Sequence, residues 1–361
     1  MAAAPSPIGW DTAERVATRV AGREPFQDSY LYASLQPDFD ELTAEAEQLV
    51  AEATGLVSAA GPARARVVDR AGWVTANVAS FQRLLRPVVD RFGPKIVGPV
   101  APVGRAITGA QVGALLGFMS TRVLGQYDLL VLEDENPEQQ DLVYYVGPNI
   151  LALEKKYSFP PREFRLWLAL HEVTHRAQFT GVPWLRAHYL GLVEEVLDLA
   201  DMDLKRLLGA LRRAADDIGH GRNPLAEGGL PALLATPEQR GVFSRINGLM
   251  SLLEGHGDIT MDRAGAARIP SADRFARVLR QRRQQSNPLL KLLLQAVGFE
   301  AKLAQYEAGE RFIEAVEAEA GHALLDRVWE RPEHLPTLDE VADPGRWVSR
   351  MRTTARLPST L

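Results

Sequence analysis

The chain contains no cysteine. Disulfides, thiolate metal sites and a cysteine nucleophile are therefore excluded, and any bound metal must be held by His, Asp or Glu. Histidine is also scarce, with seven in 361 residues. There is no excess of positive charge: 41 Lys and Arg against 46 Asp and Glu leave a net charge of −5, which argues against nucleic acid as a partner. The densest basic stretch, RQRRQQ at 280–285, reads as a solvated helix face. No Gly-x-Ser-x-Gly nucleophile elbow occurs, and no Gly-rich phosphate loop. The start of the chain, MAAAPSPIGWDTAERVATRV, lacks a charged segment followed by an apolar run. A secretory leader is thus not expected, and a cytoplasmic location is.

Only one long apolar run is present, IVGPVAPVGRAITGAQVGALLGFM at 96–119. Pro99, Pro102, Arg105 and Gln111 make it a poor membrane span. Gly109, Gly113 and Gly117 lie four apart on one face, so another helix can approach closely. The run is expected to be a buried core helix, and no membrane partner is expected.

Helical patterns dominate the rest. The segment 38–56 has acids in its first turn and Gly55 near its end, as a helix should. Residues 65–92 read as a helix or close pair of helices interrupted at Pro87. Two short extended stretches, YDLLVLE (127–133) and LVYYVGP (142–148), flank the turn-like DENPEQQD and read as a small hairpin or sheet. A helix follows from about 161 to 179, with Pro160 and Pro161 before it and Gly181 and Pro183 after it. Further helices are expected at 184–217, 237–262, 271–284, 287–307 and 309–329. The Gly- and Pro-rich 219–239 is expected to be a loop able to cover a site. The tail from 331 reads as loop plus short helix. No internal repeat is evident.

Two of the rare histidines fall in the helix at 161–179, in LALHEVTHRAQF. Residues i, i+3, i+4 and i+7 share a helix face, so Phe164, Trp167, Leu168, His171, His175 and Gln178 form one stripe. The histidines thus point inward, where an imidazole needs a partner. A single metal ion satisfies both, because rings four residues apart converge on one point. Glu172 projects about 100° round the helix, beside such a metal rather than on it. This His-Glu-x-x-His pattern is that of zinc hydrolases, in which the glutamate takes a proton from a zinc-activated water. At average residue usage it arises by chance in roughly one chain of this length in a hundred.

A catalytic zinc needs a third protein ligand. Glu194 and Glu195 follow His175 by 19 and 20 residues, whereas Glu254 follows by 79. The shorter spacing suits Glu194 or Glu195, but both flank an amphipathic stripe (Leu190, Val193, Leu197, Ala200) and should be solvated. Glu254, His256 and Asp258 instead interrupt an apolar run, Leu249 to Met261, where unpartnered acids would cost several kcal/mol. Gly255 and Gly257 bare one side of that helix to a close neighbour. Glu254 is therefore assigned as the third ligand. Asp258, four residues on, is assigned to hold the second ring nitrogen of a ligand histidine. His256 projects elsewhere and is a candidate substrate contact or a packing histidine. Tyr144, Tyr145 and Tyr157 could stabilise an oxyanion but read as core residues, and His188 reads as a surface residue.

FRLWLALHEVTHRAQFTGVPWL (164–185) together with LLEGHGDITMD (252–262) resembles the zincin-like type 2 metallopeptidases. RVLGQYDLLV, YYVGPNI and LPTLDEVADPGRWVSRM fit the same family, so the likeness runs from about residue 65 to the end. These are zinc hydrolases predicted from sequence, often labelled as associated with the biosynthesis of a deazaflavin coenzyme. The resemblance implies a mainly α-helical, zincin-like fold with a gluzincin-type site. It also implies one catalytic Zn2+ held by His171, His175 and Glu254, with Glu172 beside it. The organisation expected is an N-terminal helical segment, 1–64, packed on a metallohydrolase domain, 65–361. The function expected is a zinc-dependent metallopeptidase acting on a peptide or a small-molecule amide. The alternatives are a metal-dependent enzyme acting on a small coenzyme precursor and a non-catalytic zinc-binding protein. An exposed edge in 127–148 could align an extended peptide.

Overall fold

The structure, a computed structural model, describes residues 6, 8–22, 24, 26, 28–86, 89, 101–129, 141–198, 237–284 and 300–356. It is mainly helical with one small sheet. In chain order the principal elements are α1 (Trp10–Ala21), α2 (Leu35–Thr54), β1 (Arg64–Val68), α3 (Arg70–Leu84), α4 (Ala101–Ser120), β2 (Gly125–Tyr127) and β3 (Leu142–Val146). They continue with α5 (Gly147–Tyr157), α6 (Pro161–Gly181), α7 (Leu185–Asp198), α8 (Pro237–Gly265), α9 (Ala272–Gln284), α10 (Glu300–Ala320), α11 (Leu338–Ala342) and α12 (Pro344–Arg356). The expected loop at 219–239 lies outside the described residues except for its last three positions, which open α8. The expected helix at 287–307 is described only from Glu300.

The chain forms two compact units. One comprises Met1–Gly181 with Thr260–Phe275, the other Val182–Ile259 with Ala276–Leu361. In the first, the sheet has the order β1-β3-β2. β1 runs parallel to β3, with Arg64 opposite Leu142 and Val68 opposite Val146. β2 runs antiparallel to β3, with Gly125 opposite Tyr145 and Tyr127 opposite Val143. The expected strand at 142–148 is present as β3, but its antiparallel partner β2 lies earlier than expected and shares only Tyr127 with 127–133, of which 130–133 lie outside the described residues. A third strand, β1, stands where a helix was expected from residue 65. The helix begins only at Arg70, where the Asp69 carboxylate accepts the Gly72 N–H at 2.6 Å, a side-chain N-cap. β3 is buried throughout, and Tyr145 stacks on Phe39 with ring centroids 3.8 Å apart.

The glycine face of the apolar run meets α1. A Cβ added at Gly109, Gly113 or Gly117 would lie 2.2–2.5 Å from the carbonyl oxygens of Gly9, Ala13 and Ala17. Small residues spaced four apart on both helices allow this backbone-to-backbone approach. The opposite face departs from the expected buried helix: Val103 and Ile107 are exposed. Among the described residues no helix is long and apolar enough to cross a membrane.

In the second unit, a core of Leu252, Phe312, Ile313, Val316, Val328, Trp347 and Met351 ties α8, α10 and α12 together. The helix expected at 309–329 ends at Ala320, because Gly321 takes a left-handed φ of 82°. Gly255, left bare as the sequence reading requires, packs on the α10 backbone: a Cβ there would meet Gly309 C at 2.3 Å.

Candidate metal centre

α6 is buried along most of its length, from Phe164 to Phe179. Such a helix must satisfy its polar side chains inside the protein. Arg165 sends Nε and Nη2 to the Glu154 carboxylate at 2.8 and 2.9 Å and pairs with Asp38. Arg176, 1% exposed, grips Asp141 through Nε at 3.0 Å and Nη2 at 2.6 Å, and reaches Glu47 and the Gly61 carbonyl. Burial opposes the charge on both guanidiniums, yet their carboxylate partners hold both pKa values above the ordinary arginine value. Phe159, Phe164, Trp167 and Phe275 interlock around the start of the helix.

On this fixed helix His171 and His175 turn their Nε2 atoms toward each other, 3.2 Å apart. Two nitrogens on a tetrahedral zinc, each about 2.0–2.1 Å from it, stand roughly 3.3 Å apart, so this spacing, which also permits a hydrogen bond between the rings, fits two ligands of one zinc ion. Glu254 of α8 completes the set. One ligand atom from each of His171, His175 and Glu254 lies within 4.8 Å of the other two. Glu254 is 5% exposed, and a buried carboxylate beside two imidazoles is an arrangement that a divalent cation stabilises. The two-nitrogen, one-oxygen donor set therefore fits zinc and leaves a fourth position open.

Glu172 is absent from the ligand set and is buried against β2. The Asp128 N–H bonds the Leu142 carbonyl and the Val146 N–H bonds the Leu124 carbonyl. Residues 125 and 127 therefore turn their backbone polar groups away from β3. The Tyr127 N–H donates to Glu172 Oε2 at 3.0 Å. Gly125 lies flat against the same carboxylate: a Cβ there would meet Glu172 Cγ and Oε1 at 2.7 Å. This edge of β2 thus orients Glu172, a role its sequence does not announce.

The other candidates separate cleanly. Glu194 and Glu195 are exposed, and Glu195 pairs with Arg245 at 2.5 Å. His175 Nδ1 finds its partner within its own helix, Gln178 Oε1 at 3.0 Å, rather than in Asp258. Gln178 stands in the inward stripe read from the sequence, where its spacing alone does not announce this contact. Asp258 is half-buried one turn beyond Glu254. The half-buried His256 meets the Trp329 ring edge-on, with centroids 5.0 Å apart. Tyr145 is fully buried and shares a 2.8 Å hydrogen bond with Thr43. Burial raises its pKa and that of Tyr144, and both belong to the core. Tyr157 stacks on Phe159. His188 is held below the ordinary histidine pKa by burial and by Arg245.

The sequence profile described as zincin-like metallopeptidase matches residues 8–348. The crystal structure of a protein from Chloroflexus aurantiacus, provisionally described as a hydrolase with a novel fold, is 32% identical. It matches over 96% of this chain and 99% of its own, with a TM-score of 0.70. No curated protein matches.

Proposed function

We propose that this chain, which belongs to the zincin-like metallopeptidase family, is a zinc-dependent hydrolase that cleaves a peptide or amide bond with Glu172 as its proton-transfer group. The observation that carries this reading is the convergence of His171, His175 and Glu254 with Glu172 next to the set but outside it. The Nε2 atoms of the two histidines and one carboxylate oxygen of Glu254 would hold a single zinc ion. When bound, zinc supplies Lewis acidity, polarising a carbonyl group and making coordinated water acidic near neutral pH.

The Tyr127 N–H fixes Glu172 Oε2, so the carboxylate keeps one orientation while it accepts a proton from the attacking water. Glu172 then delivers that proton to the departing nitrogen. Asp258 remains a candidate to orient His171, and His256 a candidate substrate contact. A cytoplasmic location belongs to the same proposal.

The test is metal analysis joined to one substitution. Purified protein should carry one zinc per chain. Glu172→Gln should keep that zinc and lose hydrolysis by about 10²–10⁴-fold, the worth of a positioned general base. A screen of peptides beside small amides finds the substrate on which to measure it. Wild-type protein that takes up no zinc, or a Glu172→Gln variant as active as wild type, overturns the proposal.

A further inference from the structure

Gln178 is fully buried, and its Oε1 stands 3.0 Å from His175 Nδ1, while His175 Nε2 faces His171 Nε2 at 3.2 Å. We infer that Gln178 is a positioning residue that fixes the tautomer of His175 and through it the strength of metal binding. This rests on the zinc reading above.

An amide carbonyl oxygen can only accept a hydrogen bond, so His175 Nδ1 must carry the ring proton. The lone pair is then on Nε2, where the ligand set needs it. Metal-bound histidines commonly give their second nitrogen to a carboxylate or a backbone carbonyl. Inside a helix the backbone carbonyls are engaged in i to i+4 bonds. The nearest independent acceptor is a side chain three or four residues away on the same face, and Gln178 is at i+3. It aligns the ring without adding a negative charge. The contact lies wholly within α6, so His175 is oriented before Glu254 or a metal takes part. If the amide were reversed, its NH2 would donate to Nδ1, the ring proton would move to Nε2, and binding would first require its removal.

Three forms of the metal-free protein test this: wild type, Gln178→Met, which keeps the length of the side chain without a strong acceptor, and Gln178→Glu, which keeps the acceptor. Zinc dissociation constants are read by competition with a chromophoric chelator, and folding by thermal melting. Gln178→Met should bind zinc about 10–100-fold more weakly while still melting cooperatively. Gln178→Glu should bind at least as tightly as wild type. In wild-type protein without metal, 15N ring shifts should show His175 as the Nδ1–H tautomer. An Nε2–H tautomer, equal weakening by both substitutions, or unchanged binding by Gln178→Met overturns the inference. If Gln178→Met fails to fold, the wild-type tautomer decides. If wild type takes up no zinc, the zinc reading fails on its own, and the tautomer still tells whether Gln178 sets the ring.

Discussion

The two helices that supply the ligand set are held in place by opposite means. α6 is fixed by large side chains: two buried arginines, each clasped by carboxylates, and a knot of aromatic rings. α8, beyond its share of the apolar core, is fixed by missing side chains. A Cβ at Gly248 would meet Pro336 O at 2.4 Å, and one at Gly255 would meet Gly309 C at 2.3 Å. Gly309 returns the contact, since a Cβ there would lie 1.8 Å from Ser251 O. Charge networks fail when a partner is removed, because a buried ion is left uncompensated. Backbone-to-backbone contacts fail when volume is added. The two ligand-bearing helices should therefore be sensitive to opposite kinds of substitution.

The largest effect is expected at α6. Asp141→Asn keeps the shape of the side chain and tolerates the left-handed φ of 51° found there. It leaves Arg176 with Glu47 as its remaining carboxylate. Unfolding in urea should show a loss of about 3 kcal/mol, the lower end of the cost of breaking a buried pair. A loss below about 1 kcal/mol would mean that the Arg176 fork is not what anchors the helix. A smaller effect is expected where α10 meets α8. Gly309→Ala should destabilise by about 1–3 kcal/mol, because the obstructing atoms are backbone. This holds despite the ~1 kcal/mol that Gly→Ala gains in a helix. Gly191 of α7 has nothing within 4 Å of its added Cβ, so Gly191→Ala is the control and should stabilise. If Gly309→Ala stabilises as well, the close contact does not hold α8.

The same contrast explains what could be read in the sequence. His171, Glu172 and His175 were legible because helical spacing alone puts the two rings on one face. Glu254 is legible as a candidate because it breaks an apolar run, and its carboxylate lies beside the two rings. Environment outweighed the spacing that favoured Glu194 and Glu195, both of which the structure leaves exposed. The hydrogen-bonded fork of Arg176 was not legible, since Glu47 and Asp141 are remote from it in sequence. β1 was missed for the same reason: its five residues are made a strand by parallel pairing with β3, and a helical pattern follows immediately. α5 was missed because Gly147 and Pro148 read as the end of the extended stretch 142–148, yet a proline in the first turn is a natural opening for a helix. Gln178 was visible in the right stripe, but its acceptor role depends on a rotamer.

The smallest expected effect probes a charge contact in the glycine-anchored unit. Glu340 forms a capping box with Thr337 and accepts Arg350 Nε at 2.7 Å and Nη2 at 3.0 Å. Burial alone would raise its pKa, but Arg350 and the Thr337 N–H together bring it below the usual carboxylate value. A carboxylate depressed on folding adds stability above its unfolded pKa, near 4.5, and loses that contribution as pH falls through the lower folded value. Stability at neutral pH should therefore include a part, on the order of 1 kcal/mol as for other caps, that disappears on acidification below about pH 4.5. Glu340→Gln should remove this part at pH 7 and match wild type at low pH, as read by urea midpoints across the range. A constant difference between the two proteins at every pH would mean that Glu340 acts through its shape rather than its charge, and that this unit is held by close packing alone.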